Sequence, residues 1–570
     1  MRSNFFAAVA LAVAAVEVRG QHSDYQAHYL VGLLNLPNSN VPDIFRNHTS
    51  GTYIGRGEYN NWIAHPDAPF SDMPWVGFSD IEPIYVDDEM EEGEPTGGTG
   101  GMAGGTMALG KFFCLSDNGY GSSTNSADYA LNIARIKIER PFAFGHGGSS
   151  SMFGRYTEAE LLGAAFLHDP NKFISWENGA DIQVTYKVPD DTWADLVKDR
   201  VLTGRDLDPE GLAVLSNDCA VLGDELMTSI LNVNPTTGEV LSPFVRTPDI
   251  DSEGKFIPDK FLSTVSDKVH CEVATLEEDA DECLEVPSEV VSANGYREHH
   301  KSGGYEGFAA LPDGSIAAFL EKPLSGEPGI RVYNVDPGSC ELGEPPVFRS
   351  FRGFYQFEKN AVSIADVSAV PGSSRYALVS ERNNYPGLLS PAEFPQFGEG
   401  HQFPSPALPA NKVCLVDLTE LDENLVMANK KCILNLHIVD DPWDVDGDGI
   451  ERIALTQVTT EQIIIIDDYC IVTGTDTNYP WTNQLGLNLT ELPYGQEVMD
   501  SRWMIVCFEE PIFDVEILQD YMSMAGGAKA GYVEPATVEA ETSAAASSLY
   551  SSKSLYFISL GLASLTLCSL

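Results

Sequence analysis

Between about residues 45 and 520 the apolar positions fall in short runs, separated by clusters of Gly, Pro, Asn and Asp. That is the pattern of strands joined by turns. Four runs share one frame. An acid opens each: Glu210 before "GLAVL", Glu306 before "GFAAL", Asp366 before "VSAV" and Glu461 before "QIIII". A second apolar run, "CAVLGD", "IAAFL", "YALVS" or "CIVTGT", leads to a second acid: Glu225, Glu321, Glu381 and Asp476. Each pair is fifteen residues apart, and each midpoint carries turn residues: Asn217-Asp218, Asp313-Gly314, Gly372-Ser373-Ser374 and Asp467-Asp468. The frame predicts a β-hairpin with both acids at its open end. "KFFCLSDNG" adds a fifth unit, with Asp117 in the closing position, Leu109-Gly110 as the turn and a Gly-rich opening side. Helical periodicity is confined mainly to "TEAELLGAAFLH" (157–168) and "DTWADLVKDR" (191–200).

Hairpins repeated around a closed ring are what β-propeller blades supply. The expected fold is therefore all-β: a six- or seven-bladed β-propeller with loop and short-helix insertions. Spacings of 96, 60 and 95 residues between opening acids leave the blade number open. The acids would crowd one mouth of the central channel, where like charges are costly unless a cation offsets them. Basic residues stand beside them: Arg205 before Asp206, Lys322 after Glu321, Arg382 after Glu381, and "REHHK" (297–301), with His299 and His300, ahead of Glu306. A rim alternating carboxylates with Arg, Lys and His suits a metal-bridged phosphate ester, with Ca²⁺ as the expected cation. The plainer alternative is that acids and glycines only mark solvated strand ends.

Composition narrows the partners. The 570 residues are 43% hydrophobic, enough for a large core, and 34 basic against 84 acidic residues give a formal charge of −50. No basic surplus exists to release counterions from nucleic acid. The expected partner is a small anionic ester; oligomeric state is not written in the sequence.

Both ends read as processing signals. "FFAAVALAVAAV" then "EVRG" predicts a secretory signal peptide over 1–20. An N-terminal segment with the acidic loop "DDEMEEGE" covers 21–96, and the repeat region 97–520. An Ala/Ser-rich linker (521–554) holds small residues from Ser543 to Ser548, and an apolar tail (555–570) ends the chain. The last two segments predict a GPI-anchor signal, hence attachment to the outer leaflet by lipid. Asn47 and Asn488 sit in glycosylation sequons. Without Cys568 the mature chain would keep nine cysteines, with Cys271/Cys283 and Cys414/Cys432 as plausible staples by proximity.

"DVDGDG" places Asp444, Asp446 and Asp448 at alternate positions of a calcium loop, although Leu455 stands where an EF-hand needs Glu. "GTMALGKF" misses the Ser/Thr of a P-loop, and no G-x-S-x-G is present for a serine hydrolase.

"LSDNGYG", "LDPEGLAV", "GDEL", "GYEGFAALPDG", "IADVSAVPG" and "LVSERNNYPG", in that order, resemble the phytase-like family, named for an esterase-like activity of phytase. The resemblance runs from about Gly97 to Asn478. It implies a β-propeller and hydrolysis of phosphate esters, phytate among them, or of other esters. Its motif acids and Arg382 become candidate ligands. The expected catalytic set is Asp117, Glu225, Glu321, Glu381, Arg382 and Asp476. Asn118, Arg205, Lys322 and His300 are expected to bind substrate, and Glu210, Glu306 and Asp366 to hold metal. A Ca²⁺-dependent lactonase or carboxyl esterase, and a surface-displayed propeller that only binds, remain alternatives.

Overall fold

A computed structural model describes residues 28–36, 78–86, 106–118, 130–138, 159–174, 200–264 (205 excepted), 296–299, 303–383, 411–436, 439–442, 452–453, 460–466, 469–476 and 501–512. The chain divides into two units, Met1–Ala525 and Gly526–Leu570, and all the described residues belong to the first.

Five four-stranded antiparallel sheets form the blades. Blade I holds Asp80–Val86, Thr106–Leu115, Asn132–Ile138 and Ala159–Phe166. Blade II holds Pro209–Ser216, Cys219–Asp224, Ser229–Val233 and Val245–Arg246; blade III holds Tyr305–Ala310, Ile316–Leu320, Ile330–Asp336 and Val347–Tyr355. Blade IV holds Ser363–Ala369, Tyr376–Arg382, Asn411–Asp417 and Lys430–Asn435. Blade V joins Thr460–Ile465, Cys470–Thr475 and Ser501–Phe508 to His28–Leu36 from near the start of the chain.

The first strand of each blade lies beside the first strand of the next, and Thr460–Ile465 lies beside Asp80–Val86, so the inner ring closes on itself. The propeller thus has five blades among the described residues, where six or seven were expected. The long intervals between repeats carry inserted strands instead. A three-stranded sheet (Pro248–Ile250, Phe256–Thr264, Tyr296–His299) follows blade II, and a two-stranded one (Val439–Asp440, Arg452–Ile453) follows blade IV.

Two further expectations are corrected. No helix occurs among the described residues, and the stretch taken as helical at 157–168 contributes Ala159–Phe166, the outer strand of blade I. The propeller also reaches back before residue 97, since His28–Leu36 and Asp80–Val86 are blade strands. The second expected helix lies outside the described residues, apart from Arg200 at its end. So do the signal-like and anchor-like segments and both sequons.

The core sits between blades. One buried cluster spans blades I, II and V around Trp503, Phe112 and Leu222; another joins II and III around Tyr305, Phe308 and Tyr333. A third joins III and IV around Phe319 and Tyr355, and a fourth joins IV and V and includes Leu30. Inner strands alternate faces, so successive residues pack into the seams on either side of the blade: Leu212 and Val214 into the cluster shared with blade I, Ala213 into the one shared with blade III.

Adjacent inner strands meet in two ways at one equivalent position. At Gly307 a Cβ would lie 2.7 Å from the backbone nitrogen of Val367 in the next blade, so only glycine allows that approach. At Asp80 and Asp366 the side chain itself spans the seam: Leu212 N donates to Asp80 Oδ2, and Ile463 N donates to Asp366 Oδ2 at 2.7 Å.

Three disulfides join Cys219–Cys340, Cys414–Cys432 and Cys470–Cys507. The last two link directly opposed residues of neighbouring strands within blades IV and V. The first ties the hairpin tip of blade II to the loop beyond Asp336 in blade III. The pairing of Cys414 with Cys432 matches its sequence reading. Cys114 is free and buried, and Cys271 and Cys283 lie outside the described residues.

Candidate functional site

Hairpin register decides which side chains reach the mouth. In blades II, III and V the pairing slips by one residue near the start of the inner strand, and the unpaired residues are Glu210, Glu306 and Glu461. Such a bulge re-aims a side chain. The residues closing these hairpins are Glu225, Glu321 and Asp476, each just past the second strand. Asp117 holds the same place in blade I, two residues beyond Leu115, which pairs with Asp80. Its hairpin partner strand is Asp80–Val86, so Leu109-Gly110 lies inside a strand and is not the turn.

Blade IV departs from its sequence reading. Its slip falls at Ala365, and the closing position falls on Arg382, which pairs with Ser363. Asp366 and Glu381 lie one residue further in on either strand. The hairpin is two residues longer than the others, so fifteen-residue spacing selects the wrong pair. One ring of equivalent positions therefore reads Asp117, Glu225, Glu321, Arg382 and Asp476: four carboxylates and one arginine.

That arginine organises the ring. Arg382 Nη2 lies 3.1 Å from Glu321, 3.3 Å from Glu306 and 3.6 Å from Glu461. Lys322 Nζ pairs with the other oxygen of Glu321. Blade II supplies a separate group: Asp208, Glu210 and Glu225 each place an oxygen within 4.8 Å of the others, and Glu225, Glu306 and Glu321 do likewise. Glu225 belongs to both. Glu381 with Cys414 and Cys432 meets the same distance test, but those cysteines are a disulfide and hold no metal.

Burial makes this crowding costly. Glu306, Glu321 and Asp476 are 3% exposed or less, and Glu210, the most open of the glutamates, is 9% exposed. Burial, then the neighbouring acids, push the carboxyls of Glu210, Glu225, Glu306 and Glu461 well above the usual range. Asp208 is also raised by burial, against hydrogen bonds that include those from Asn118. Burial opposes the charges of Lys322 and Arg382, yet the surrounding glutamates outweigh it and hold both cations above their ordinary values.

Asp208 comes from the loop before blade II, where its backbone N–H donates to Asp224 Oδ1 at 2.9 Å. Asn118 reaches it from blade I: the backbone nitrogen donates to Oδ1 at 3.2 Å and Nδ2 donates to Oδ2 at 2.7 Å. Asn118, expected to bind substrate, thus holds a carboxylate.

The expected site residues divide as follows. Asp117, Glu225, Glu321, Arg382, Asp476, Glu210, Glu306 and Lys322 belong to the mouth. Glu381 does not. It is fully buried and accepts hydrogen bonds from Tyr355 Oη at 2.6 Å, Lys430 Nζ at 2.7 Å and Glu358 N at 3.0 Å. Asp366 is the seam carboxylate described above, also accepting from Val367 N. Arg205, His300, Asp444, Asp446, Asp448, Asn47 and Asn488 lie outside the described residues, and His299 is described only as strand backbone. The expected set had no place for Asp208, and none for Glu461 beyond its hairpin. "LDPEG" contains the signal for the first: an acid two residues before the bulged Glu210, held off the strand by Pro209.

A family model described as phytase-like, esterase-like activity of phytase, matches residues 94–468, well over half of the chain. No curated protein matches. The chain belongs to the phytase-like family. Membership supports, in broad terms, a hydrolase of phosphate esters.

Proposed function

We propose that the mouth of this phytase-like propeller hydrolyses phosphate esters with the help of Ca²⁺, phytate being a candidate substrate. The observation that carries the reading is the division of the mouth into two chemically distinct halves. On one side Asp208, Glu210 and Glu225 offer carboxylate oxygens within a single ion's reach. An oxygen-only donor set of this charge fits a hard divalent cation. Their raised proton affinity points the same way, because three buried carboxylates need either protons or a metal.

On the other side Arg382 and Lys322 already balance Glu306 and Glu321. Their positive charges would orient the phosphate as an anion, a guanidinium being suited to phosphate oxygens. Ca²⁺, when bound, would screen the substrate's charge and acidify a water. Asp208, Glu210 and Glu225 would hold it, while Glu306, Glu321 and Glu461 keep Arg382 charged and aimed. Three disulfides support an oxidising compartment, in keeping with a secreted enzyme.

The test is phosphate release from phytate and from a simple phosphomonoester, measured on the full chain with Ca²⁺ and with EDTA. Release that requires Ca²⁺ and is lost in Glu225→Gln supports the reading. Release unchanged by EDTA and by that substitution would refute the mechanism. No phosphate release, with turnover of a lactone or carboxyl ester in the same panel, would move the activity to that class.

A further inference from the structure

We infer that Asn118 is the positioning residue of the mouth: by clamping Asp208 across the seam between blades I and II it sets how tightly the site holds a divalent cation. The inference rests on the reading of Asp208, Glu210 and Glu225 as cation ligands.

Asp208 lies in the connection before the strand. Its backbone is held at both ends: its N–H donates to Asp224 Oδ1 at 2.9 Å, and its carbonyl accepts from Glu225 N at 2.8 Å. Its carboxylate shares hydrogen bonds with Glu210 and Glu225 inside the trio, which a cation would displace. The grip from outside the trio is that of Asn118, through both oxygens, at 3.2 and 2.7 Å. Each oxygen can take more than one partner, so this grip orients the carboxylate without closing it to an ion.

The donors of Asn118 are neutral, which matters. A lysine or arginine there would cancel the charge a cation needs, whereas an amide orients the carboxylate and leaves its charge in place. Asn118 is itself 4% exposed, so water does not compete for the clamp. It also lies 90 residues from Asp208 in sequence and on a different blade. The geometry of the carboxylate trio therefore depends on how blades I and II sit together. Partners that orient ligands from behind commonly govern metal affinity by ten- to a hundredfold.

The experiment measures Ca²⁺ binding to the full chain by calorimetry, with Tb³⁺ luminescence as a second probe, in wild type, Asn118→Ala, Asn118→Asp and Asn118→Ser. Asn118→Ala should weaken Ca²⁺ by about tenfold. Asn118→Asp, which swaps the donor for a like charge, should weaken it further, and Asn118→Ser, which keeps a donor, should recover part of the loss. The Ca²⁺ concentration for half-maximal phosphate release should shift by the same factor, while kcat at saturating Ca²⁺ stays near wild type. A purely structural role would instead lower the melting temperature in EDTA and leave Ca²⁺ affinity alone. Equal Ca²⁺ affinity in wild type and Asn118→Ala would overturn the inference. A wild-type chain that binds neither ion would overturn the reading beneath it, a separate outcome.

Discussion

At the scale of single residues, Arg382 is the odd member of an acidic ring, and its neighbours explain why it stays. One nitrogen within 4 Å of three buried glutamates makes it the hub of the mouth. Arg382→Ala would leave Glu306, Glu321 and Glu461 without their common cation, and on the proposed mechanism would also remove the phosphate anchor. Phosphate release should fall by at least about a hundredfold, as when a transition-state donor is deleted. Arg382→Lys should recover little, because an ammonium lacks the planar fork. Steady-state kinetics on both variants, with Ca²⁺ saturating, check this. A Lys variant with wild-type kcat would show that charge alone suffices. Arg382 was singled out from sequence as a basic residue near acids. That it replaces an acid of the ring was hidden, because the longer blade IV hairpin shifts the register, and spacing by itself cannot see a longer turn.

At the scale of elements, the hairpins were legible because acid, apolar run, turn, apolar run and acid recur, and each level demands the same strand–turn–strand unit. Asp313-Gly314 is a good case: Gly314 has φ of +90°, which few other residues adopt without strain. Where local preference and tertiary setting disagree, the sequence misled. "AELLGAAF" is rich in helix formers, yet it pairs with Asn132–Ile138 as an outer strand; burial against the sheet overrides an intrinsic preference of a few tenths of a kcal/mol per residue. Glu381 shows the same limit in its chemistry, since its side chain turns from the mouth toward Tyr355 and Lys430. Glu381→Gln should therefore act on stability and spare catalysis. Removing one partner of a buried ion pair costs about 3 kcal/mol, at the low end of the usual range because Lys430 keeps Glu358 at 3.3 Å. Denaturant unfolding should show that loss, with kcat/KM unchanged for the molecules that remain folded. A catalytic defect with wild-type stability would return Glu381 to the active site.

At the scale of the whole molecule, the channel couples folding to protons and to cations. Glu210, Glu225, Glu306 and Glu461 at the mouth, and Asp80, Glu82 and Asp366 deeper in the inner ring, are all pushed well above their ordinary proton affinities, with burial the largest cause. Asp224 is pushed up to about 7 by burial, against hydrogen bonds from Asp208 and Met227. A carboxyl whose folded affinity is raised keeps its proton after the unfolded chain has released it. The folded form then binds more protons, and stability falls as pH rises from the unfolded value through the folded one. For Asp224 that window runs from about 4 to about 7, and its full contribution is on the order of 4 kcal/mol. Without divalent cations the melting temperature should therefore rise as pH is lowered from 8 to 5, opposite to the trend of a protein held by ionised carboxylates. A cation at Asp208, Glu210 and Glu225 would take over the work of the protons there. Millimolar Ca²⁺ should raise the melting temperature more at pH 8 than at pH 5 and flatten the slope, since metal and protons compete for the same oxygens. Scanning calorimetry across this range, in EDTA and in Ca²⁺, separates the cases. An identical pH slope with and without Ca²⁺ would mean that the mouth holds its charge by protons, Arg382 and Lys322 alone. A slope that flattens in Ca²⁺ for wild type but persists in Glu225→Gln would place the ion at Glu225, the member common to both carboxylate groups.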